Sequence, residues 1–320
     1  MLVSRKKVKV MEFYFLGTNA GVPTIQRNVT SIALRLLEER RSMWLFDCGE
    51  GTQQEVLRSP LKLSRLEKIF ITHLHGDHLF GLPGLLSSRA YQGGTTPLTV
   101  YGPLGLKQYI ELSLGISQSR INYQLDIVEH TGGLLFDDGQ FRVESALLDH
   151  RIDSYGYRIV EMDKPGKLNQ ELLERYGIKP GPVYGKLKRG ESVEVEGGVM
   201  LHPQDVLGTP KKGRIITILG DTRPCPNTVV LAQDATVVVH EATFLHELAN
   251  TAYEYHHSTA LQAAEAAKAA GAAQLIMTHF SSRYKDQEQL HPLLEEARRV
   301  FPNSLLAEQH VLLPVPDIGS

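Results

Sequence analysis

The chain has 320 residues, 42% of them hydrophobic, with 34 basic against 36 acidic side chains. That length supports one large domain or two small ones, and a net charge of −2 excludes a globally basic nucleic-acid binder, so any RNA or DNA contact must come from a local patch. The two cysteines, Cys48 and Cys225, lie far apart and beside no histidine-rich spacing, which argues against a disulfide framework and a thiolate zinc site.

No apolar run approaches the roughly 18 residues of a membrane span, and a reducing cytoplasmic setting is expected. Met1–Val10 carries Arg5, Lys6, Lys7 and Lys9 without a secretory apolar segment behind it, so it reads as a mobile tail. Met11, where the first strand pattern begins, could serve as an alternative start. The remainder, residues 11–320, reads as one catalytic domain with an insertion at about 161–196.

Glu12–Leu16 reads as a strand and Gly17–Pro23 as the loop after it. Asn28–Leu37 and Met43–Phe46 follow as strands joined by the charged turn Glu38–Arg41. The second ends in Asp47-Cys48-Gly49-Glu50-Gly51. Asp47 there has two readings: it orients the neighbouring histidine loop by accepting its N–H groups, or it caps a helix beginning near Thr52.

After the apolar run Lys68–Ile71 comes Thr72-His73-Leu74-His75-Gly76-Asp77-His78. Three imidazoles and a carboxylate within six residues form a metal-ligand set. His73 and His75, two apart on extended chain, point to one side, and Gly76 lets the backbone turn so that Asp77 and His78 approach from another. This suits two adjacent metals better than one. Imidazole and carboxylate without thiolate favour zinc first, then manganese or iron.

Gly81–Gly84 leads into a helix and then the strand at Leu98 to Gly102, and the repeat of strand, loop and helix indicates layered α/β structure. Three later apolar runs each end in a ligand type. Ser145–Leu148 ends at Asp149-His150, Arg214–Leu219 at Gly220-Asp221-Thr222, and Gln274–Met277 at Thr278-His279. Strand C-terminal ends are where α/β sites gather. Seven ligands result: His73, His75 and His150 on one ion, Asp77, His78 and His279 on the other, and Asp221 between them. Two cations about 3.5–4 Å apart favour hydrolysis of a phosphodiester by metal-activated water.

Between Glu161 and Glu196 the chain is turn-forming and basic, without a strong amphipathic period. Tyr176–Gly190 holds four basic residues and no acidic one, which fits either an arm that holds a phosphate backbone or, with Glu191, Glu194 and Glu196 on its flank, a solvated surface loop. Thr236–Val239 ends in His240-Glu241, which is either close to the site or a structural pair. His257 precedes the alanine-rich helix Ala260–Ala270, capped by Ser258 or Thr259, and is placed to give a proton to a leaving oxygen. Arg283 is a candidate phosphate partner, Gln287–Val300 an amphipathic helix, and Pro302–Pro314 closes the chain.

His73-Leu74-His75-Gly76-Asp77-His78, with His150, Asp221 and His279 in order, resembles the signature of the metallo-β-lactamase superfamily. Within it the chain resembles the bacterial ribonuclease Z family through Phe15-Leu16-Gly17-Thr18, Phe46-Asp47-Cys48-Gly49-Glu50, Gly220-Asp221-Thr222-Arg223, His240-Glu241-Ala242-Thr243-Phe244 and His257-Ser258-Thr259. The resemblance implies a four-layer αβ/βα sandwich with a dinuclear site, two zinc ions per subunit (or manganese or another divalent metal), and a homodimer acting on precursor tRNA. It implies Asp77 as general base as well as ligand, and His257 as proton donor. It further implies that Gly181 and Pro182, with the basic Lys186, Lys188 and Arg189, belong to a flexible exosite that grips the tRNA body. The implied reaction cuts after the discriminator nucleotide, leaving a 3′-hydroxyl on the tRNA and a 5′-phosphate on the trailer. Met1–Val10 lies outside the family pattern, and Gln26 stands where some relatives carry a basic residue. Another hydrolase on the same scaffold would use the seven ligands without needing the basic arm. A non-catalytic RNA-binding module would need neither base nor acid.

Overall fold

The computed structural model describes residues 11–195 and 198–317; the expected tail at Met1–Val10 lies outside the described residues, as does Glu196. The strands are β1 (Glu12–Gly17), β2 (Ser31–Leu36), β3 (Ser42–Phe46), β4 (Leu66–Phe70), β5 (Leu98–Gly102), β6 (Leu125–Glu129), β7 (Gly133–Asp137), β8 (Phe141–Leu147), β9 (Tyr155–Glu161), β10 (Val193–Val195), β11 (Val199–Leu201), β12 (Ile215–Ile218), β13 (Val237–Glu241), β14 (Leu275–Thr278), β15 (Ser304–Leu306) and β16 (Leu312–Pro314). They form one seven-stranded sheet in the order β16-β1-β2-β3-β4-β5-β6 and another in the order β15-β14-β13-β12-β9-β8-β7. The first is mixed, antiparallel from β16 to β3 and parallel from β3 to β6. In the second, β12 to β15 run parallel.

The two-residue period of β1 sorts its side chains. Tyr14 and Leu16 join a core with Val56, Leu79, Leu82, Leu85, Leu86, Leu106 and Ile110 from the helices on that side, while Phe13 and Phe15 are buried on the opposite face. The second sheet does the same with Val238, Leu275 and Met277. These pack on the helices Ala260–Ala269 and Gln287–Val300 through Ala260, Ala263, Ala264, Ala267, Leu290, Leu293 and Ala297. Between the sheets lie aromatics: Phe70 stacks on Phe46 at 4.8 Å and Tyr101 at 5.1 Å, and meets Tyr157 of β9 at 5.2 Å. The order helix, sheet, sheet, helix is the expected α/β sandwich of the metallo-β-lactamase fold.

Some boundaries differ from the sequence reading. β2 begins at Ser31 rather than Asn28, because the Asn28 carbonyl accepts from Thr18 and Asn19 and its N–H donates to Gln309 Oε1. Those bonds hold Asn28 in the loop facing β1.

Residues 138–142, 160–214 and 317 form a separate compact unit, wider than the expected insertion. Its chain folds where the sequence showed no amphipathic period. The helices Gln170–Arg175 and Pro182–Lys188 have only 6 and 7 residues, too few for a period to show, yet Leu173, Leu187, Leu201 and Val206 make a small core. β10 and β11 pair antiparallel in this unit, and a buried Glu161–Arg214 ion pair at 2.7 Å closes its base.

The Tyr157 hydroxyl donates to the Ile71 carbonyl at 2.6 Å inside the aromatic layer. Tyr157→Phe leaves that buried carbonyl without its donor, and a loss of about 1–3 kcal/mol in unfolding free energy is predicted from urea denaturation. An unchanged midpoint would contradict it.

Candidate metal centre

Gly49 decides how closely the histidine loop can approach β3. A Cβ there would stand 2.2 Å from the Asp77 carbonyl oxygen, and one at Gly81 would stand 2.1 Å from the Gly49 carbonyl oxygen, so neither position accepts a larger residue without backbone movement. The close approach lets Cys48 N–H donate to the His78 carbonyl at 2.8 Å and Gly81 N–H to the Cys48 carbonyl at 2.9 Å.

Asp47 lies beneath this loop in a left-handed conformation, φ 59°. Its carboxylate accepts the Thr72 N–H at 2.7 Å, the Thr72 hydroxyl at 2.9 Å and His78 Nδ1–H at 2.8 Å. It therefore orients the loop. The helix Thr52–Leu57 is capped instead by Gly51, without a side-chain bond, so the capping alternative for Asp47 does not occur.

The seven ligand candidates converge. Donor atoms of His73, His75 and His150 form one group, and those of Asp77, His78, Asp221 and His279 another, each with its atoms within 4.8 Å of one another. His75 Nδ1 and His150 Nε2 are 3.2 Å apart, and His78 Nε2 and His279 Nε2 3.3 Å. Asp221 Oδ2 lies 3.7 Å from His73 Nε2, 3.4 Å from His78 Nε2 and 3.2 Å from His279 Nε2, a position between the groups. The other nitrogen of several rings is held from behind: His150 Nδ1–H donates to the His256 carbonyl at 2.9 Å, and His279 Nδ1 meets the Thr243 hydroxyl at 3.1 Å. Fixing one ring nitrogen aims the other at the centre.

The donors present fit a divalent cation. His73 Nε2 is buried with no hydrogen-bond partner, a costly arrangement unless a ligand completes it. Burial and the neighbouring His78 hold His73 well below the ordinary imidazole range. His78 responds oppositely: burial lowers it, but Asp221, Asp77 and Asp47 override that and raise it. Burial likewise raises Asp77 and Asp221, but the surrounding imidazoles bring both well below the usual carboxylate range. Carboxylates packed this tightly demand a positive partner, which a proton on His78 or a metal can supply.

A second constellation was only half legible. Glu241, the last residue of β13, accepts from His257 Nδ1–H at 3.0 Å, Thr222 N–H at 2.8 Å, the Thr243 hydroxyl at 2.6 Å and Ser258 N–H at 3.1 Å. Its companion His240 turns away and bonds the Glu241 carbonyl at 2.7 Å. Burial lowers the His257 pKa, but the Glu241 carboxylate outweighs it and pushes the ring up to about 9. Thr259, with Gln262, caps the helix Ala260–Ala269, and Ser258 bonds the Thr222 carbonyl.

Arg283 is exposed and lies 5.0 Å over the Phe244 ring, itself 6.3 Å from the His257 ring. Gly181, Pro182, Lys186, Lys188 and Arg189 lie in the separate compact unit. Lys186 and Lys188 are exposed, and Arg189 pairs with Glu191 at 2.7 Å. Sequence reasoning missed Arg27, a buried guanidinium that bonds Asn19 Oδ1 at 3.0 Å and the Tyr284 carbonyl. It helps hold the loop whose Gly21 N–H donates to Asp77 Oδ2 at 2.7 Å.

The fold is the metallo-β-lactamase fold with clustered donors that could hold metal, and comparison with known proteins gives the class. A family profile described as "Anti-Pycsar protein Apyc1" matches residues 11–130, a stretch that ends before His150, Asp221, His257 and His279. Ribonuclease Z of Bacillus cereus (strain AH187) is 56% identical over 306 residues, covering 95% of this chain and 99% of the relative. Ribonuclease Z of Bacillus anthracis (strain CDC 684 / NRRL 3495) is 55% identical over the same length. The crystal structure of human tRNase Z, short form, superposes with a TM-score of 0.70 at 32% identity, covering 96% of this chain and 100% of that one. The metallo-β-lactamase fold protein YhfI from Bacillus subtilis shares the fold, with a TM-score of 0.64 at 16% identity and coverage of 95% and 99%. The chain belongs to the ribonuclease Z family and is an endonuclease.

Asp47→Asn keeps the shape beneath the loop but removes the charge that aligns His78. A metal-competition titration is predicted to show affinity weakened about 10- to 100-fold, and wild-type affinity would exclude Asp47 from orienting the site.

Proposed function

We propose that the chain is a zinc-dependent endoribonuclease that removes 3′ trailers from precursor tRNA. It cuts after the discriminator nucleotide, leaving a 3′-hydroxyl on the tRNA and a 5′-phosphate on the trailer. The observation that carries the proposal is the His257–Glu241 pair beside two convergent donor groups, in a chain of the ribonuclease Z family.

Two divalent cations, held by His73, His75 and His150 on one side and Asp77, His78 and His279 on the other with Asp221 shared, would acidify water and offset charge on the reacting phosphate. Asp77 accepts the proton of the attacking water, its Oδ2 held in place by Gly21 N–H at 2.7 Å. Water attacks phosphorus and the bond to the 3′-oxygen breaks. His257 supplies that oxygen with a proton from Nε2, while Glu241 fixes Nδ1–H and favours the charged, donating form.

The basic stretch Tyr176–Gly190 within the compact unit supports the reading that the substrate is large. Lys186 and Lys188 would meet phosphates of the tRNA body, with Gly181 and Pro182 opening the helix that carries them, and Arg283 would meet a phosphate nearer the cut. We further propose a homodimer in which the arm of one subunit presents tRNA to the other's site, and a cytoplasmic location. Among the described residues no helix is long and apolar enough to cross a membrane.

The deciding experiment is cleavage of a precursor tRNA transcript lacking encoded CCA, with product ends mapped. A single cut after the discriminator, abolished by Asp77→Ala and slowed about 100-fold or more by His257→Ala, supports the proposal. No cut, with hydrolysis of a small phosphodiester intact, moves the assignment to another hydrolase on this scaffold.

The acid role also predicts a pH profile. A donor works while protonated, so the rate declines as pH rises through the His257 pKa, and bound cations would bring that limb below its value of about 9. Glu241→Gln removes the charge that holds the proton, so the alkaline limb of kcat should move about one unit or more to lower pH; an unmoved limb would assign the proton to another group. Lys186→Glu with Lys188→Glu should raise KM for precursor about 10-fold and flatten its salt dependence by about two phosphate contacts. An unaltered salt slope would remove these lysines from the substrate.

A further inference from the structure

Four and two residues before His257 the surface carries two aromatic rings that neither the donor groups nor the acid uses. Tyr253 is 65% exposed and Tyr255 53% exposed. Tyr253 belongs to the helix Ala249–Glu254, and Tyr255 follows it directly. Each ring has a guanidinium against it: Arg223 lies 4.4 Å from the Tyr253 centroid and Arg151 5.5 Å from that of Tyr255.

The positions of the arginines matter more than their presence. Arg223 is two residues beyond Asp221, and Arg151 is one beyond His150, so both leave the loops that carry ligand candidates. Arg223 is pinned by Asp149, which accepts at 2.8 and 3.0 Å, and Arg223 N–H donates to the Asp149 carbonyl at 2.9 Å. Arg151 reaches the Glu254 carbonyl at 3.4 Å. Behind the rings, His256 N–H donates to the Tyr253 carbonyl and His257 N–H to the Ala252 carbonyl, at 3.2 and 2.8 Å. The His256 carbonyl in turn accepts from His150. The main chain that carries the rings is thus fixed relative to the acid and to one donor group, while the rings stay exposed.

Exposed aromatic rings backed by guanidinium groups make a stacking platform for unpaired bases, because every base has a π-face; the charge of Arg223 is met by Asp149, so the rings carry the contact. The mechanism fixes which side of the cut is served. His257 protonates the leaving 3′-oxygen, which belongs to the nucleotide on the tRNA side of the scissile bond. We propose that Tyr253 and Tyr255 stack the discriminator base of the precursor and thereby present its 3′-oxygen to His257. This rests on the tRNA-processing reading above, and makes the two tyrosines substrate-binding residues that read an unpaired base by its face rather than its edge.

The test is a mutant cycle on cleavage of precursor tRNA under single-turnover conditions. The holoenzyme carries Tyr253→Ala, Tyr255→Ala, Tyr253→Phe or Tyr255→Phe. The precursors bear a normal discriminator, an abasic discriminator, or an abasic first trailer nucleotide. At least one alanine variant should lose about 10-fold or more in kcat/KM on the normal precursor, with its phenylalanine counterpart near wild type because the ring is kept. On the precursor abasic at the discriminator the alanine penalty should vanish, while the precursor abasic at the trailer should retain it. An alanine penalty equally large on all three precursors, no penalty on any, or one that vanishes only with the abasic trailer would overturn the proposal while leaving the processing activity in place. Failure of wild type to cut the normal precursor overturns the processing reading and this one together.

Discussion

The geometry of the site depends on where β4 stops. Ile71 and Thr72 close the strand at the seam of the two sheets, and their main chain is held on every side. Ile71 N–H donates to the Tyr101 carbonyl, the Ile71 carbonyl accepts from Tyr157 and the Thr72 carbonyl from Tyr155 N–H. Asp47 takes the Thr72 N–H. The first and third of these bonds come from different sheets, so the histidine loop begins at a point that neither sheet can move alone. Close packing of the rings beneath it makes the junction stiff.

That stiffness answers an electrostatic problem. Asp77 and Asp221 lie with His73, His78 and His279 in a space from which water is largely removed; His73 is 0% exposed and His78 1%. The ligands cannot separate to relieve repulsion, since Asp47, Thr243 and the His256 carbonyl hold three of the rings from behind. A flexible loop would spread its charges and lose affinity for a cation. Here the cost of crowding is met by the fold, and a bound cation removes it. His279 adds to that cost through its left-handed backbone, φ 57°, a conformation that a non-glycine residue keeps only where its surroundings enforce it.

Legibility in the sequence followed the range of the interactions. The histidine motif was plain because four ligand candidates fall within six residues, and His150, Asp221 and His279 joined them as candidates because each follows an apolar run. Glu241 could not be separated from His240 by sequence. Strand alternation puts them on opposite faces, but which face carries the site depends on β12 and β14 on either side. Arg27 left no signal at all, since its partners include Tyr284, 257 positions away. The separate compact unit was underestimated because short helices around Leu173 and Leu187 bury too few residues to leave a pattern.

The parallel register of the second sheet explains how side chains from distant parts of the chain come to one edge. β12, β13 and β14 are neighbours, and Val239 of β13 pairs with Ile218 and Ile276. Their C-terminal ends therefore lie side by side and deliver Asp221, Glu241 and His279 in a row. Asp221 and His279 face the donor groups, which leaves the middle carboxylate to be screened by something else. Four donors from Thr222, Thr243, His257 and Ser258 do this, and His257 alone among them supplies an imidazole. A buried glutamate at the centre of a parallel sheet thus fixes an imidazole beside the donor groups, while Asp77 arrives from the other sheet with the motif loop.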